Sequence, residues 1–378
     1  METKRPFESR EVPQIQTEFQ ARLHEKEVRA GLTDEELEGL TQEQRYERIE
    51  TLVGNTPKIE VPLVNGNVLI QSDETANPTE NHYDRVYLHL LHELEKEGII
   101  AHGDTLLETT SGSAGISFSW MCNKLGFKPV VFTPGFIPEA RRTELEHLAE
   151  VHYSDDRERY LQACAEMMVR YLRENKDKVK TTGHKIWMPN HSQDPRTPSA
   201  FHSLADEVAQ KYPGQPIDYF IGGVGNGSTI LGIAERLKQI NPNTKVIGFE
   251  PMEACPYYKR YKDRWGHVAP RFVRDEDVPE GYSFHELPGT GGFGNIAFPF
   301  MTEAVERGLV DDVVPVPDKQ ILDMLKYNEG LPPEQQQGHT SLIAHYIADI
   351  WAQHTQGKRF VSMVYDKADR YGKPRLLS

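Results

Sequence analysis

The chain has 378 residues, of which 38% are hydrophobic and 26% are charged, a composition typical of globular proteins. Its formal net charge of −14 and the lack of a Lys/Arg-rich run argue against nucleic acid as a partner. No apolar stretch of about 18 residues and no signal-peptide segment occur, so no membrane partner is expected. Cys122, Cys164 and Cys255 are isolated, which favours the reducing cytoplasm, and no Cys/His spacing predicts a metal site.

The first 50 residues are charged and poor in glycine and proline, which predicts a helical N-terminal extension at residues 1–50. Thr33–Glu36 and Thr41–Gln44 have the capping-box pattern, in which two side chains satisfy N–H groups at the start of a helix. The extension is expected to pack on the core or on a second subunit and to take no part in chemistry.

From Val53 onward, short apolar runs alternate with amphipathic segments, a pattern that favours mainly parallel sheets covered by helices. The strands are predicted at residues 67–73, 105–110, 128–134, 217–225, 244–251, 311–318 and 359–366. The clearest helices are predicted at residues 83–97, 113–125 and 138–149.

This order of elements needs two sheets and therefore predicts two three-layer α/β domains. We expect a smaller domain of residues 86–186 and a larger domain of residues 51–85 and 187–378. Ligands of such folds bind at the carboxyl ends of the strands, so the small-molecule site is expected between the two domains.

The segment Gly222–Leu237 is the clearest ligand-binding pattern, because a strand ends in glycines and a helix begins at about Ser228. Backbone N–H groups and the helix dipole at such a junction favour an anion, and a phosphate group is the natural occupant. The predicted phosphate cradle consists of Gly225, Asn226, Gly227, Ser228 and Thr229.

A dinucleotide fold is an alternative interpretation of this loop. Gly223, Gly225 and Gly227 follow a strand, and Glu250 ends the next strand, where such a fold places its ribose-binding acid. The third glycine comes one residue too early, however, and the loop is not at the first βα turn.

A second strand–turn–helix junction lies at Glu108–Ser117. Thr110, Ser111 and Gly112 place hydroxyls and N–H groups at the start of a helix, which suits the carboxylate of a substrate. Taken alone, the segment is equally well explained as an N-cap.

Several motifs together carry a resemblance to a known family. The chain resembles fold-type II pyridoxal-phosphate enzymes, closest to cysteine synthase and the cystathionine β-synthase core, over roughly residues 50–372. The motifs are VGNTP (53–57), NPT…DR (77–85), TSGSAG (110–115), GVGNGST (223–229), FEP (249–251) and DKADRY (366–371). The resemblance implies a tryptophan synthase β-like fold, a lyase or transferase ancestry, pyridoxal phosphate in the cleft and a homodimer.

Three positions depart from the family pattern. The family loop reads like NPTGS-x-K-D-R, and Tyr83 takes the place of the lysine that forms the Schiff base. Ser113 takes the place of the asparagine that meets the ring hydroxyl, and Lys367 that of the serine at the pyridine nitrogen. No lysine occurs between Lys58 and Lys96, so a small shift of register supplies no substitute. These changes predict a site that keeps a phosphate-bearing ligand without the usual Schiff base.

Three functions follow from this pattern. The first is an enzyme with changed chemistry, in which Tyr83 acts as an acid or base and Lys367 lowers its pKa. The second is a non-catalytic sensor or partner-binding pseudoenzyme. The third is a β-replacement or elimination enzyme that holds pyridoxal phosphate in an unusual mode. His82, beside Tyr83, is expected to be a solvated cap.

Overall fold

Two β-sheets organise the part of the chain that the computed structural model describes, which is residues 17–110, 112–159, 161–266, 268–281, 287, 290 and 298–371. The strands are β1 (Lys58–Pro62), β2 (Val68–Asp73), β3 (Thr105–Thr109), β4 (Lys128–Pro134), β5 (Glu150–Ser154), β6 (Ile186–Trp187), β7 (Tyr219–Gly223), β8 (Lys245–Pro251), β9 (Asp312–Val316) and β10 (Arg359–Val364).

The larger sheet has the order β1-β2-β10-β7-β8-β9, and the smaller sheet has the order β5-β4-β3-β6. All strand pairs are parallel except β1 with β2, where Lys58 lies opposite Ser72. The central strands are buried on both faces, as their continuous apolar runs predict. The predicted fold class, two mainly parallel α/β sheets, is therefore confirmed, whereas the domain boundaries stay a prediction.

The helices cover these sheets. They are α1 (Glu18–Ala30), α2 (Asp34–Leu37), α3 (Gln42–Glu50), α4 (Tyr83–Lys96), α5 (Ser113–Leu125), α6 (Glu139–Leu148), α7 (Leu161–Thr182), α8 (His202–Lys211), α9 (Ser228–Ile240), α10 (Pro256–Tyr261), α11 (Pro299–Glu306), α12 (Asp318–Glu329) and α13 (His339–Ala352). Among the described residues, no helix is both long and apolar enough to cross a membrane.

The N-terminal helices pack on the core of the same chain. Phe19, Leu23, Tyr46 and Ile49 are buried in one apolar cluster with residues of α4 and α5. The capping box at Thr41 is complete, because its N–H donates to Gln44 Oε1 and its hydroxyl accepts the Gln44 N–H. One of the two packing modes expected for the extension is thus observed.

The carboxyl ends of three strands meet at one place. Helix α5 begins soon after β3, α9 begins soon after β7, and Tyr365 and Asp366 directly follow β10. The three cysteines lie elsewhere, and all three are buried and form no disulfide. The meeting of the strand ends positions the cleft described next.

Candidate functional site

A cleft of about 160 Å³ lies where these strand ends meet. Its walls come from the loop before α4, the start of α5, the loop before α9 and the segment after β10, and they include Tyr83, Thr110, Gly225 and Asp366. None of the described residues that line the cleft is a lysine. The structure therefore brings together both predicted loops and the predicted tyrosine.

The predicted phosphate cradle lies in this cleft. Gly225, Asn226, Gly227 and Thr229 line it, whereas Ser228 is buried beneath, where its N–H (2.9 Å) and its hydroxyl (2.8 Å) both donate to Asn226 Oδ1. At the start of α9 the first-turn N–H groups have no partner within the helix, as an anion site requires. Asn226 thus fixes the shape of the loop by occupying both donors of Ser228.

Gly227 is the residue that this loop requires to be glycine. Its φ is 89°, and a methyl group added to it would lie 2.3 Å from the backbone nitrogen of Met301. A side chain here would therefore push α11 away from the start of α9.

Hydrogen bonds within the Thr110 loop fix its shape. The Gly112 N–H donates to Thr110 Oγ1 at 3.0 Å, and the Gly115 N–H donates to the same oxygen at 3.1 Å. The carboxylate site expected at Thr110, Ser111 and Gly112 stays a prediction. Ser111 lies outside the described residues.

Ser113, at the first turn of α5, faces a carboxylate in the cleft. Its hydroxyl donates to Asp366 Oδ2 at 3.1 Å. Tyr371 Oη also donates to the Asp366 oxygens, at 2.8 and 2.9 Å, and the Arg141 guanidinium lies 4.6 Å over the Tyr371 ring. Sequence reasoning missed Arg141, Asp366 and Tyr371 as site residues, although the last two bound the motif DKADRY.

Tyr83 lies among aromatic rings. Its ring centroid is 4.1 Å from that of His82 and 5.5 Å from that of His191, which stands nearly perpendicular to it at 88°. Burial, and next the charge of Asp366, raise the pKa of Tyr83 to about 12. The prediction of a lowered pKa is therefore wrong, and Tyr83 keeps its proton at neutral pH.

Lys367 does not place its positive charge beside Tyr83, where it was expected to lower the pKa of the phenol. Its Nζ donates to Glu80 Oε1 at 2.8 Å, and Lys367 is not among the described residues lining the cleft. Glu80 is buried, and Arg22 donates to both of its oxygens, at 2.7 and 2.9 Å. Burial opposes ionisation, but the hydrogen bonds from Arg22 and Lys367 lower the pKa of Glu80 to about 2. The ammonium thus pairs with a buried carboxylate and leaves Tyr83 unaffected.

Helix α1 holds the loop that precedes Tyr83. Besides the bonds from Arg22 to Glu80, Lys26 Nζ donates to the Asn77 carbonyl oxygen at 2.6 Å. Glu80 has a φ of 59°, a left-handed conformation that costs a non-glycine residue roughly 1–2 kcal/mol. These contacts hold Glu80 in this left-handed conformation.

His82 is not the solvated cap that its loop position suggested. It is 9% exposed, and burial lowers its pKa to about 4, so the imidazole is neutral at physiological pH. Its ring lies edge-on to that of Tyr365 at 5.1 Å. His82 therefore acts as an aromatic support for Tyr83.

The dinucleotide alternative is contradicted at Glu250. This carboxyl is fully buried and accepts the N–H groups of Tyr257 at 3.4 Å and Tyr258 at 2.9 Å. Burial raises its pKa to about 8. A carboxyl that caps α10 from the interior is not placed to bind a ribose.

Comparisons with known proteins agree with this geometry. Residues 49–364 match the family described as "Pyridoxal-phosphate dependent enzyme". A cysteine synthase of Staphylococcus aureus (strain Mu50) is 31% identical over 215 residues, which are 56% of this chain and 66% of that relative, just under two thirds of its length. A cysteine synthase B of Pseudomonas aeruginosa is 26% identical over 226 residues, covering 58% of this chain and 73% of that protein.

Solved structures show the same fold. A hydrogen sulfide-producing enzyme from Fusobacterium nucleatum superposes with a TM-score of 0.71 at 22% identity, covering 89% of this chain and 92% of that one. A cysteine synthase from Entamoeba histolytica superposes with a TM-score of 0.68 at 22% identity, covering 85% and 88%. At these identities the likeness establishes the architecture alone.

Proposed function

This chain belongs to the pyridoxal-phosphate dependent enzyme family, and we propose that it is an enzyme that binds a phosphate-bearing, amino-acid-like small molecule without a Schiff base. The observation that carries the proposal is the composition of the cleft. The glycine loop and helix start of an anion site are kept, while no lysine occurs among the described lining residues. In this proposal Tyr83 stands where relatives have the lysine.

The cleft fits one part of pyridoxal phosphate and not the other. The loop Gly225–Thr229 suits the phosphate group, because it lines the cleft at the start of α9, where backbone N–H groups favour an anion. The ring part does not fit covalent attachment, since a phenol such as Tyr83 forms no imine and Lys367 is paired with Glu80. The proposed function therefore depends on the side chains of the cleft and on no covalently attached cofactor.

The side chains of the cleft suit the groups of an amino-acid-like ligand. The Asp366 carboxylate lines the cleft and attracts an ammonium group, and Arg141 lines it and attracts a carboxylate. Because its pKa is about 12, Tyr83 donates its O–H to a ligand atom that gains negative charge and does not act as a base.

Borohydride reduction tests the missing Schiff base. We expect the native protein, incubated with pyridoxal phosphate and reduced, to carry no pyridoxyl group by peptide mass spectrometry, whereas Tyr83→Lys acquires one at position 83. Tyr83→Phe serves as the control and should behave like the native protein. A pyridoxyl group mapped to any native lysine would contradict the proposal and favour an unusual cofactor mode.

Tyr83→Phe also separates an enzyme from a sensor. The sensor is the second candidate function, and the raised pKa of Tyr83 favours it because it argues against a general base at this position. O-phospho-L-serine, which carries a phosphate, a carboxylate and an ammonium group, is the probe. If Tyr83 is catalytic, we expect Tyr83→Phe to slow phosphate release by about 10²–10⁴-fold. Its binding by calorimetry should weaken by only about 1 kcal/mol, the net value of one hydrogen bond. Binding without turnover in the native protein would identify the sensor.

A further inference from the structure

We propose that His191 is the proton acceptor of the cleft, held in place by Glu108, which acts as a positioning residue. His191 lines the cleft on the chain between β6 and α8, and its ring stands edge-on to that of Tyr83. The proposal rests on the proposed function for the class of ligand. It assigns the base that Tyr83 does not provide.

The contacts of His191 come from two other elements. Its Nδ1 lies 3.1 Å from Glu108 Oε2 on β3 and 3.0 Å from Tyr87 Oη on α4. The backbone N–H of His191 also donates to Glu108 Oε2 at 3.2 Å. With Glu108 only 2% exposed and His191 only 7% exposed, the pair is fixed in orientation and shielded from bulk solvent.

These contacts determine which ring nitrogen of His191 carries the proton. An ionised carboxylate only accepts, and Tyr87 Oη lies 3.2 Å from Glu108 Oε2 as a donor, so its oxygen accepts from the imidazole. The proton of the neutral ring is therefore placed on Nδ1, and Nε2 keeps its lone pair. Nε2 lies on the other edge of the ring, 3.4 Å from the hydroxyl of Ser192, another residue lining the cleft.

A buried histidine with a carboxylate partner is often purely structural, and two observations argue against that here. The edge of the ring that Glu108 and Tyr87 leave unused is the edge beside the cleft residue Ser192. Tyr83 also lines the cleft, with its ring centroid 5.5 Å from that of His191, and its raised pKa keeps its proton in place as a donor. An acceptor and a donor thus flank one small cavity.

The proton transfer requires no further reactant. A ligand X–H bond breaks, an N–H bond forms at Nε2, and the electron pair stays on the ligand, where the Tyr83 O–H stabilises it. The resulting imidazolium is stabilised by the negative charge of Glu108. The titratable groups that face His191 are Tyr83 and Tyr87 from α4, Glu108 from β3 and His82 from the preceding loop.

Nitrogen-15 NMR of the histidine rings in the full chain tests the assignment directly. The signal of His191 is identified because it disappears in His191→Gln. We expect it to show the Nδ1–H tautomer at pH 8. Glu108→Gln should reduce this preference, because a neutral amide both donates and accepts and no longer holds the proton on Nδ1. Glu150→Gln is the matched control, since Glu150 pairs with the surface residue His152 at 2.8 Å. An Nε2–H tautomer in the native protein would overturn the proposal.

Calorimetry with O-phospho-L-serine at pH 8 gives the second readout. His191→Gln should weaken binding roughly tenfold, as expected for one hydrogen bond to a charged group. Unchanged affinity would overturn the role of His191 and leave the proposed function standing. If the probe does not bind the native protein, the proposed ligand class fails, while the tautomer still decides whether Nε2 is an acceptor.

Discussion

Arg85→Met is expected to destabilise the folded protein by about 3–5 kcal/mol, because it leaves a buried carboxylate without its cation. Arg85 Nε donates to Glu74 Oε2 at 2.7 Å, and its Nη1 donates to Glu207 Oε1 at 2.6 Å. The Arg85 side chain is 2% exposed and that of Glu74 is 0% exposed, so water does not replace the lost partner. Chemical denaturation followed by circular dichroism gives the change in unfolding free energy.

Two further variants isolate the cause of this loss. Arg274→Met removes an arginine that pairs with Asp277 at 2.9 Å while 72% exposed, and its unfolding curve should coincide with that of the native protein. Adding Glu74→Gln to Arg85→Met neutralises the buried charge and should recover part of the stability. A double variant less stable than Arg85→Met would show that lost packing, and not the unpaired carboxylate, causes the effect.

Gly227→Ala is expected to weaken the binding of O-phospho-L-serine about tenfold or more. The added methyl group would lie 2.3 Å from the Met301 nitrogen, so the loop and α11 must separate. Each hydrogen bond to a charged phosphate that is lost removes roughly 1.5–3 kcal/mol. Calorimetry measures the affinity, and thermal unfolding shows whether the variant is folded at the working temperature.

Gly308→Ala is the matched control for backbone strain. Gly308 also has a positive φ, 68°, but no atom lies within 4 Å of an added methyl group. It should lose about 1–2 kcal/mol of stability through its left-handed backbone alone and bind the probe like the native protein. Equal affinities of Gly227→Ala and native protein would mean that the loop is a turn and not a phosphate site.

Local signals explain what the sequence predicts correctly. Helices α4 and α5 begin at Tyr83 and Ser113, the predicted residues, because polar and glycine-rich turns precede segments with helical apolar spacing. The parallel sheets follow from continuous apolar runs that alternate with these helices. Such patterns involve residues that are close together in the chain, so a single sequence is enough to recognise them.

The predictions from sequence fail where a side chain interacts with a residue that is distant in the chain. Lys367 was assigned to the cleft, but its partner Glu80 is 287 positions away in the chain. His191 carried no local signal at all, since its partner Glu108 is 83 positions away. Only the folded arrangement brings these groups together. The same holds for Tyr83, whose pKa is raised by burial and by Asp366 instead of being lowered.

The attachment of α1 to the Tyr83 loop has a consequence for motion. Arg22 and Lys26 hold Glu80 and Asn77 from a helix near the amino end of the described chain. Helix and loop should therefore open together, as one cooperative unit in native-state hydrogen exchange. Movement of the loop should require the loss of the bonds from Arg22 and Lys26 and also of the bond from Lys367 to Glu80. Variants that loosen α1 are therefore expected to open the wall of the cleft more often.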